Sequence, residues 1–292
     1  MRTIWLASYP KSGNTWFRLL VANLAARDGK PADINALQSG MAAVRRHFDR
    51  VSLIDSGLLT HDEVDRLRPR IYEQMAHEAE PHRETPPVRF AKVHDAYTLT
   101  SHQEPLLAGA HGADGAIVVV RDPRDIAPSL AHHLGMPIDD AIAFMNASDS
   151  ALCRHTDRLH RQLRQKLSDW SGHIASWLDQ RDLPVHLLRY EDLSADTASA
   201  LRQALAFAGC PASEEALRRS ARLSTFARLR RQEVEQGFRE AASGVRFFRR
   251  GQVGAWHDEL SAAQVARIEA AHAPMMQRLA YSLATVLEAA DS

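Results

Sequence analysis

Cysteine is nearly absent from this chain: Cys153 and Cys210 are the only two, far apart and outside any metal-ligand pattern. That excludes a disulfide framework and fits a reducing compartment. Charge of one sign is not in excess, because 36 Lys and Arg face 36 Asp and Glu for a formal net charge of zero. Bulk nucleic-acid binding usually needs a basic surplus, so that class is excluded while a local basic pocket is not. No apolar run approaches the ~20 residues that span a bilayer. No basic-then-apolar leader precedes the first apolar segment, so a cytoplasmic protein is expected. His132, His133, His155, His160 and His173 lack the spacing of a metal site, and no metal is expected. Neither internal repeats nor low-complexity segments occur. What remains is a 292-residue chain, 45% hydrophobic and 25% charged, with the composition of a soluble globular protein. That length suits one large α/β domain or two small ones.

The chain begins with a short apolar run, Ile4 to Ala7, which breaks at Pro10. Lys11-Ser12-Gly13-Asn14-Thr15 then leads into Trp16 to Leu24, apolar at helical spacing. This predicts strand, tight turn and helix N-terminus. Unpaired N–H groups at a helix start, with the positive end of its dipole, make an anion site. Ser12, Gly13, Asn14 and Thr15 are small enough to let an anion reach the backbone, and Lys11 adds a mobile point charge. The turn lacks the Gly-x-x-x-x-Gly-Lys-Ser/Thr spacing of the nucleoside-triphosphate P-loop. From these residues alone, an anion site and an ordinary solvated turn stay equally open.

Further along, Asp28-Gly29-Lys30-Pro31 reads as the stop of this helix. Residues 31 to 59 read as irregular, apart from a short helical pattern near Met41 to Phe48. Thr60-His61-Asp62-Glu63 is a capping box opening a helix through Val64, Leu67, Ile71 and Met75, with a kink expected at Pro69. Glu80 to Pro87 is a proline-marked loop. Val88 to His94 alternates as a second strand whose end carries Lys92 and His94. Ala116 to Val120 is a β-branched run expected to be a central parallel strand, buried on both faces. It exits into Arg121, where an open α/β sheet binds ligands. By itself Arg121 would pair with Asp122 or Asp125, and Arg124 reads as solvent-facing. Residues 135 to 180 read as mostly helical, with Leu159, Leu163, Leu167, Trp170, Ile174 and Trp177 at core spacing. A strand from Val185 ends at Tyr190-Glu191-Asp192-Leu193, where Glu191 and Asp192 are expected to structure the turn. Helices follow from Thr197 to Ala208 with a stop at Gly209, after a cap at Ser213, and after a cap at Ser261. Arg228, Arg230 and Arg231 read as a solvated helix face.

Tyr9-Pro10-Lys11-Ser12-Gly13-Asn14-Thr15-Trp16 closely resembles the 5′-phosphosulfate loop of the sulfotransferases that use 3′-phosphoadenosine 5′-phosphosulfate (PAPS). Three more stretches resemble that family in its order. Arg121 with Ser129 eight residues on is similar to its 3′-phosphate motif. Asp169 to Ile174 with the Tyr190-Glu191-Asp192-Leu193 exit is similar to its fourth-strand region. Phe247 to Trp256 is similar to its Arg-Lys-Gly-x-x-Gly-Asp-Trp motif, with Arg250 for Lys and Ala255 for Asp. The resemblance implies a single α/β domain over 1–292, with a central parallel sheet flanked by helices, in the P-loop nucleotide-kinase-like fold of that family. It implies sulfuryl transfer from PAPS to a hydroxyl or amine, leaving adenosine 3′,5′-bisphosphate (PAP). His94 would be the base, with Lys92 and Lys11 at the sulfuryl group. Lys11, Ser12, Gly13, Asn14 and Thr15 would hold the 5′-phosphosulfate, with Trp16 and Tyr190 at the adenine. Ser224 and Phe226 would lie along the nucleotide. Arg121, Ser129, Phe247, Arg249, Arg250 and Gly251 would surround the 3′-phosphate. Regions 31–87 and 135–165 match poorly and are expected to shape the acceptor pocket, for a small molecule, glycan or lipid that the residues do not name. A homodimer is compatible with this reading. A non-catalytic 3′-phosphonucleotide-binding module and a variant nucleotide kinase are the alternatives.

Overall fold

The β-branched run predicted as a central strand lies inside a four-stranded parallel sheet, of order β2 (Val88–Val93), β1 (Arg2–Ser8), β3 (Gly115–Val120) and β6 (Val185–Arg189). A computed structural model describes residues 1–26, 29–37, 40–77, 88–157, 159–241 and 244–284. The chain runs β1 (Arg2–Ser8), α1 (Asn14–Leu24), α2 (Arg45–Ser52), α3 (His61–His77), β2 (Val88–Val93), α4 (Gly109–Gly112) and β3 (Gly115–Val120). It continues through α5 (Pro123–Leu134), α6 (Ile138–Asn146), the short β4 (Ala151–Leu152) and β5 (Gln165–Lys166), α7 (Trp170–Asp179) and β6 (Val185–Arg189). It closes with α8 (Tyr190–Ala195), α9 (Thr197–Ala208), α10 (Glu214–Leu223), α11 (Phe226–Gln236) and α12 (Ala262–Arg278). The proline-marked loop at 80–87 and Asp28 of the first helix stop lie outside the described residues. Among the described residues no helix is long and apolar enough to cross a membrane.

Alternation along the strands decides what packs where. Trp5, Ala7, Val118 and Val120 face Trp170, Ile174 and Trp177 of α7, Ile126 and Leu130 of α5, and Ile268 and Met276 of α12. Ile4, Leu6, Ile117 and Val119 face Phe17 and Leu20 of α1, Leu201 and Leu205 of α9, and Leu217 of α10. Burying each such side chain contributes roughly 1.5–3 kcal/mol, and both faces of β3 are covered, as a continuous apolar strand requires. The four strands of this sheet run the same way. Their carboxyl ends therefore bring the turn after β1, His94, Arg121 and Tyr190 to one edge of the sheet.

Local signals hold at the helix ends. Thr60 and Glu63 form the capping box before α3, Ser261 and Gln264 form another before α12, and α9 stops at Gly209 with φ 78°. α3 continues through Pro69 to His77. Arg228, Arg230 and Arg231 are exposed on α11.

Three expectations need correction. The helix expected near 41–48 begins only at Arg45. Before it, Ala42 N–H donates to the Lys92 carbonyl (2.8 Å) and Lys92 N–H to the Gly40 carbonyl (3.2 Å), so the segment is captured by the open edge of β2. Among the described residues of 135–180, only α6 and α7 are helical past the end of α5. Between them the backbone pairs elsewhere: Leu163 N–H to the Ala43 carbonyl (2.8 Å), Leu167 N–H to Ser150 (2.8 Å), and Lys166 accepting from Ala96 (2.7 Å). Leu159 is exposed, while Leu163 and Leu167 enter two different clusters. Their helical spacing is thus overridden by long-range backbone pairing. Third, Arg124 is buried rather than solvent-facing. α12 brings Glu269 to 2.7 Å from it, Asp122 lies at 2.6 Å, and Trp256 stacks at 4.3 Å.

Candidate active site

The turn from β1 to α1 needs left-handed backbone at two positions, Lys11 (φ 71°) and Gly13 (φ 108°). Gly13 is required twice over, since a Cβ there would meet the Tyr190 ring at 2.7 Å. Asn14 donates to the Leu6 carbonyl (2.8 Å) and the Ser8 hydroxyl (3.2 Å), tying the turn back to its strand. Among the described residues no side chain caps α1, and its first turn holds no acid. Its first amides are therefore left without a side-chain cap, at residues that line the cavity, where they can serve as anion donors.

A cavity of about 530 Å³ opens at this edge. Lys11, Gly13, Asn14, Thr15, Trp16, Lys92, His94, Arg121, Ser129, Tyr190, Phe226, Phe247, Arg249, Arg250 and Gly251 all line it. Two expected residues do not. Ser12 is buried in the turn, and Ser224 lies beneath Trp16, whose indole N–H donates to its carbonyl (3.0 Å).

Three cations, Lys92, Arg121 and Arg249, act on Lys11 here. Burial, followed by the charges of Lys92, Arg121 and Arg249, lowers Lys11 to about 7; its ammonium lies 3.8 Å from the Phe247 ring centre. Burial also lowers Lys92, against the pull of Glu240. His94 Nδ1 lies 2.7 Å from the Ser8 carbonyl. A carbonyl only accepts, so Nδ1 carries the proton and Nε2 is the basic nitrogen. Burial and then Lys92 hold His94 well below the usual histidine range, so it is neutral at physiological pH.

Arg121 donates to the Gln252 carbonyl (2.8 Å), lies 3.5 Å from Asp125, and stacks on Tyr190 at 4.3 Å. Tyr190 and Trp16 sit 5.4 Å apart, tilted at 58°. Gly251 (φ 64°) lets the backbone pass over Phe226, where a Cβ would come to 2.1 Å of the ring. Arg249 donates to Glu259 (2.9 Å). Asp125 accepts from the Gly254 and Trp256 amides at 2.8 and 3.0 Å, so a carboxylate from α5 holds the turn at Ala255.

Sequence reasoning missed Glu240, Glu259, Arg18 and His133, which also line the cavity. Burial lowers His133 to about 4. The acids reach the site through space and carry no local pattern that could have announced them. Met41, Val44, Leu152 and Gln162 also line the cavity.

The carboxyl edge of the parallel sheet thus brings an amide-rich turn, a Lys-x-His pair and Arg121 to one cavity, an arrangement suited to an anionic ligand. The chain belongs to the sulfotransferase domain family, which matches residues 1–280. It is 26% identical to the luciferin sulfotransferase of Photinus pyralis over 205 residues, covering 70% of this chain and 50% of that protein. The chain thus spans about half the length of the curated relative it matches. Among solved structures, a mouse sulfotransferase complexed with PAP superposes with TM-score 0.59 at 18% identity, over 94% of this chain and 84% of that one. Retinol dehydratase in complex with androsterone and inactive cofactor PAP gives 0.58 at 20% identity, over 94% and 81%. At these identities the structures establish a shared fold.

Proposed function

We propose that this chain moves a sulfuryl group from PAPS to the hydroxyl, or amine, of a small acceptor by in-line transfer. The observation that carries the proposal is the meeting of a neutral, tautomer-fixed His94 with Lys11, Lys92 and the uncapped start of α1 in one cavity. The donor set also fits a nucleotide with two phosphate groups: cations at two places, with aromatic faces between. When bound, the donor supplies an activated sulfuryl group whose transfer shifts negative charge between oxygens, a process that positioning and electrostatics accelerate. Lys11 and the first amides of α1 hold the oxygens of the 5′ group. His94 Nε2 takes the acceptor's proton, and Lys92 orients the transferring group. Arg121, Ser129, Arg249, Arg250 and Gly251 hold the 3′-phosphate, and Trp16, Tyr190 and Phe226 hold the base. Ser224 acts through Trp16, which its carbonyl anchors.

The acceptor end supports a partly apolar small molecule over a glycan. Met41 bridges to Lys92 along the edge of β2, Val44 pairs with Gln162, and Leu152 lies on the short β4. These belong to the two regions, 31–87 and 135–165, expected to shape that end. A cytoplasmic location belongs to the same proposal and rests on the scarcity of cysteine.

Transfer of labelled sulfate from PAPS to a panel of hydroxyl compounds tests this reading, comparing the protein with His94→Ala. The expected loss is about a hundred- to ten-thousand-fold. Undiminished transfer in the variant would remove His94 as the base. Tight PAP binding with no transfer to any acceptor would leave a non-catalytic binding module.

A further inference from the structure

Of its 36 basic residues this chain makes only four lysines: Lys11, Lys30, Lys92 and Lys166. Two of the four line the cavity. Arginine is always charged and holds a planar fork, whereas lysine is a compact charge on four rotatable bonds that titrates readily when buried. A lysine at such a place has to be held, and something has to hold it.

Lys92 Nζ lies 3.1 Å from Glu240 Oε2. Arg18 Nη1 holds the same carboxylate at 2.7 and 3.0 Å. The side chains of Lys92 and Arg18 are 9% and 3% exposed, and that of Glu240 is 33% exposed. The three groups come from separate parts of the chain: the end of β2, the middle of α1, and the segment after α11. We infer that Glu240 is a positioning residue for Lys92, holding its ammonium at the cavity wall beside His94 with Arg18 as the brace. The inference rests on the sulfuryl-transfer reading given above.

The surrounding charges show why a brace is needed. The groups acting on Lys92 or affected by it are His94 on its own strand, Lys11 on the turn, Arg18 on α1, His133 on α5 and Glu240. Of these only Glu240 is an anion. Burial and Arg18 push the Lys92 ammonium toward the neutral amine, and Glu240 opposes them. Burial raises Glu240, but Lys92 and Arg18 overcome that and hold it below the usual carboxylate range. The carboxylate therefore stays charged through neutral pH, and removing its charge leaves Lys92 with no anion among these groups.

With four lysines, side-chain carbon signals can be titrated individually in the full chain, using Lys92→Gln to assign the Lys92 signal. In Glu240→Gln the Lys92 midpoint is expected to fall by about one pH unit, the scale of one lost close charge partner. Glu240→Asp, which keeps the charge, should recover most of that shift. Lys166, paired with Asp65 at 3.1 Å, reports in the same spectrum that the fold persists. Should Glu240→Gln not fold, the unsubstituted protein still decides. Its Lys92 signal must then show a second inflection in the acid range as Glu240 takes up a proton. With PAPS and p-nitrophenol, kcat/KM for the donor should fall about tenfold in Glu240→Gln, one close charge partner's worth, with its alkaline limb at lower pH. An unmoved Lys92 midpoint with Lys166 intact overturns the inference. So does a moved midpoint with unchanged kcat/KM. Absence of transfer by the unsubstituted protein to every acceptor would count against the activity, while the titration would still decide the Glu240–Lys92 contact.

Discussion

At one end of the cavity the functional groups hang from regular structure. Lys11, Gly13 and Thr15 sit where β1 meets α1, Arg121 follows β3, and Tyr190 follows β6. The rest of the wall comes from segments with little regular structure, residues 40–44 and those carrying Leu152 and Gln162, tied by backbone bonds to the edge of β2 and to each other. The first end presents cations and amides whose positions the sheet dictates. The second presents Met41, Val44 and Leu152, whose positions depend on long-range pairing and on one buried charge cluster. Under the proposed function, the contrast would put specificity for the nucleotide in the fold, and specificity for the acceptor in segments that can change without disturbing the sheet.

The largest expected effect strikes the irregular end. Arg68 is fully buried. It joins α3 to Asp95 (2.6 Å), one residue beyond His94, and to the Arg164 carbonyl (3.0 Å). Arg68→Ala leaves Asp95 buried without its partner and should cost about 3–5 kcal/mol in denaturant unfolding. A loss under about 1 kcal/mol would mean that this cluster does not hold the acceptor wall, since that is what an exposed pair contributes.

Next in size is acid sensitivity in the layer beneath the sheet. His173 and His272 are buried and lowered to about 4 by burial. Between pH 6.5 and 4 the unfolded chain takes up protons there that the folded protein refuses. Stability should therefore fall as pH drops through that window, by about 3 kcal/mol per histidine at its lower end. His173→Asn should flatten part of the slope in urea unfolding measured across pH. An unchanged slope would show that His173 is not the titrating group.

The donor end can be tested by binding alone. Arg121→Met should weaken PAP by about ten- to a hundredfold, the worth of a hydrogen bond to a charged group. Affinity should also fall above pH 7, where Lys11, lowered to about 7 in the free protein, gives up its charge. Calorimetry across pH checks both. Flat affinity through pH 8 would remove Lys11 from the phosphate grip.

The smallest effect should separate the ends most cleanly. Met41→Ala and Val44→Ala are expected to raise KM for an apolar acceptor about tenfold, as one lost apolar contact does, with PAP affinity unchanged. Weakened PAP binding would show that the two ends are not independent.

Much of the donor end is legible in the amino-acid sequence. A turn's small residues, a β-branched run and a capping box act within a few residues of themselves, and Gly13 and Arg121 lie at the turn and strand end those patterns predict. Arg124 departs from its solvent-facing pattern because Glu269, its partner, arrives from α12, 145 residues away. Leu159, Leu163 and Leu167 carry helical spacing, but the chain there pairs its backbone with Ala43, Ala96 and Ser150. Glu240 and Glu259 carry no sequence signal at all, since a carboxylate's role as counter-ion depends only on which cation it meets in space.

The central claim is that two separated phosphate grips choose the nucleotide. Calorimetric titration of the protein with PAP and with ATP addresses it directly. PAP should bind at least about tenfold more tightly, since it alone offers a 3′-phosphate to Arg121 and Arg249. Preference for ATP would contradict the assignment of those arginines and the sulfuryl-donor reading with it.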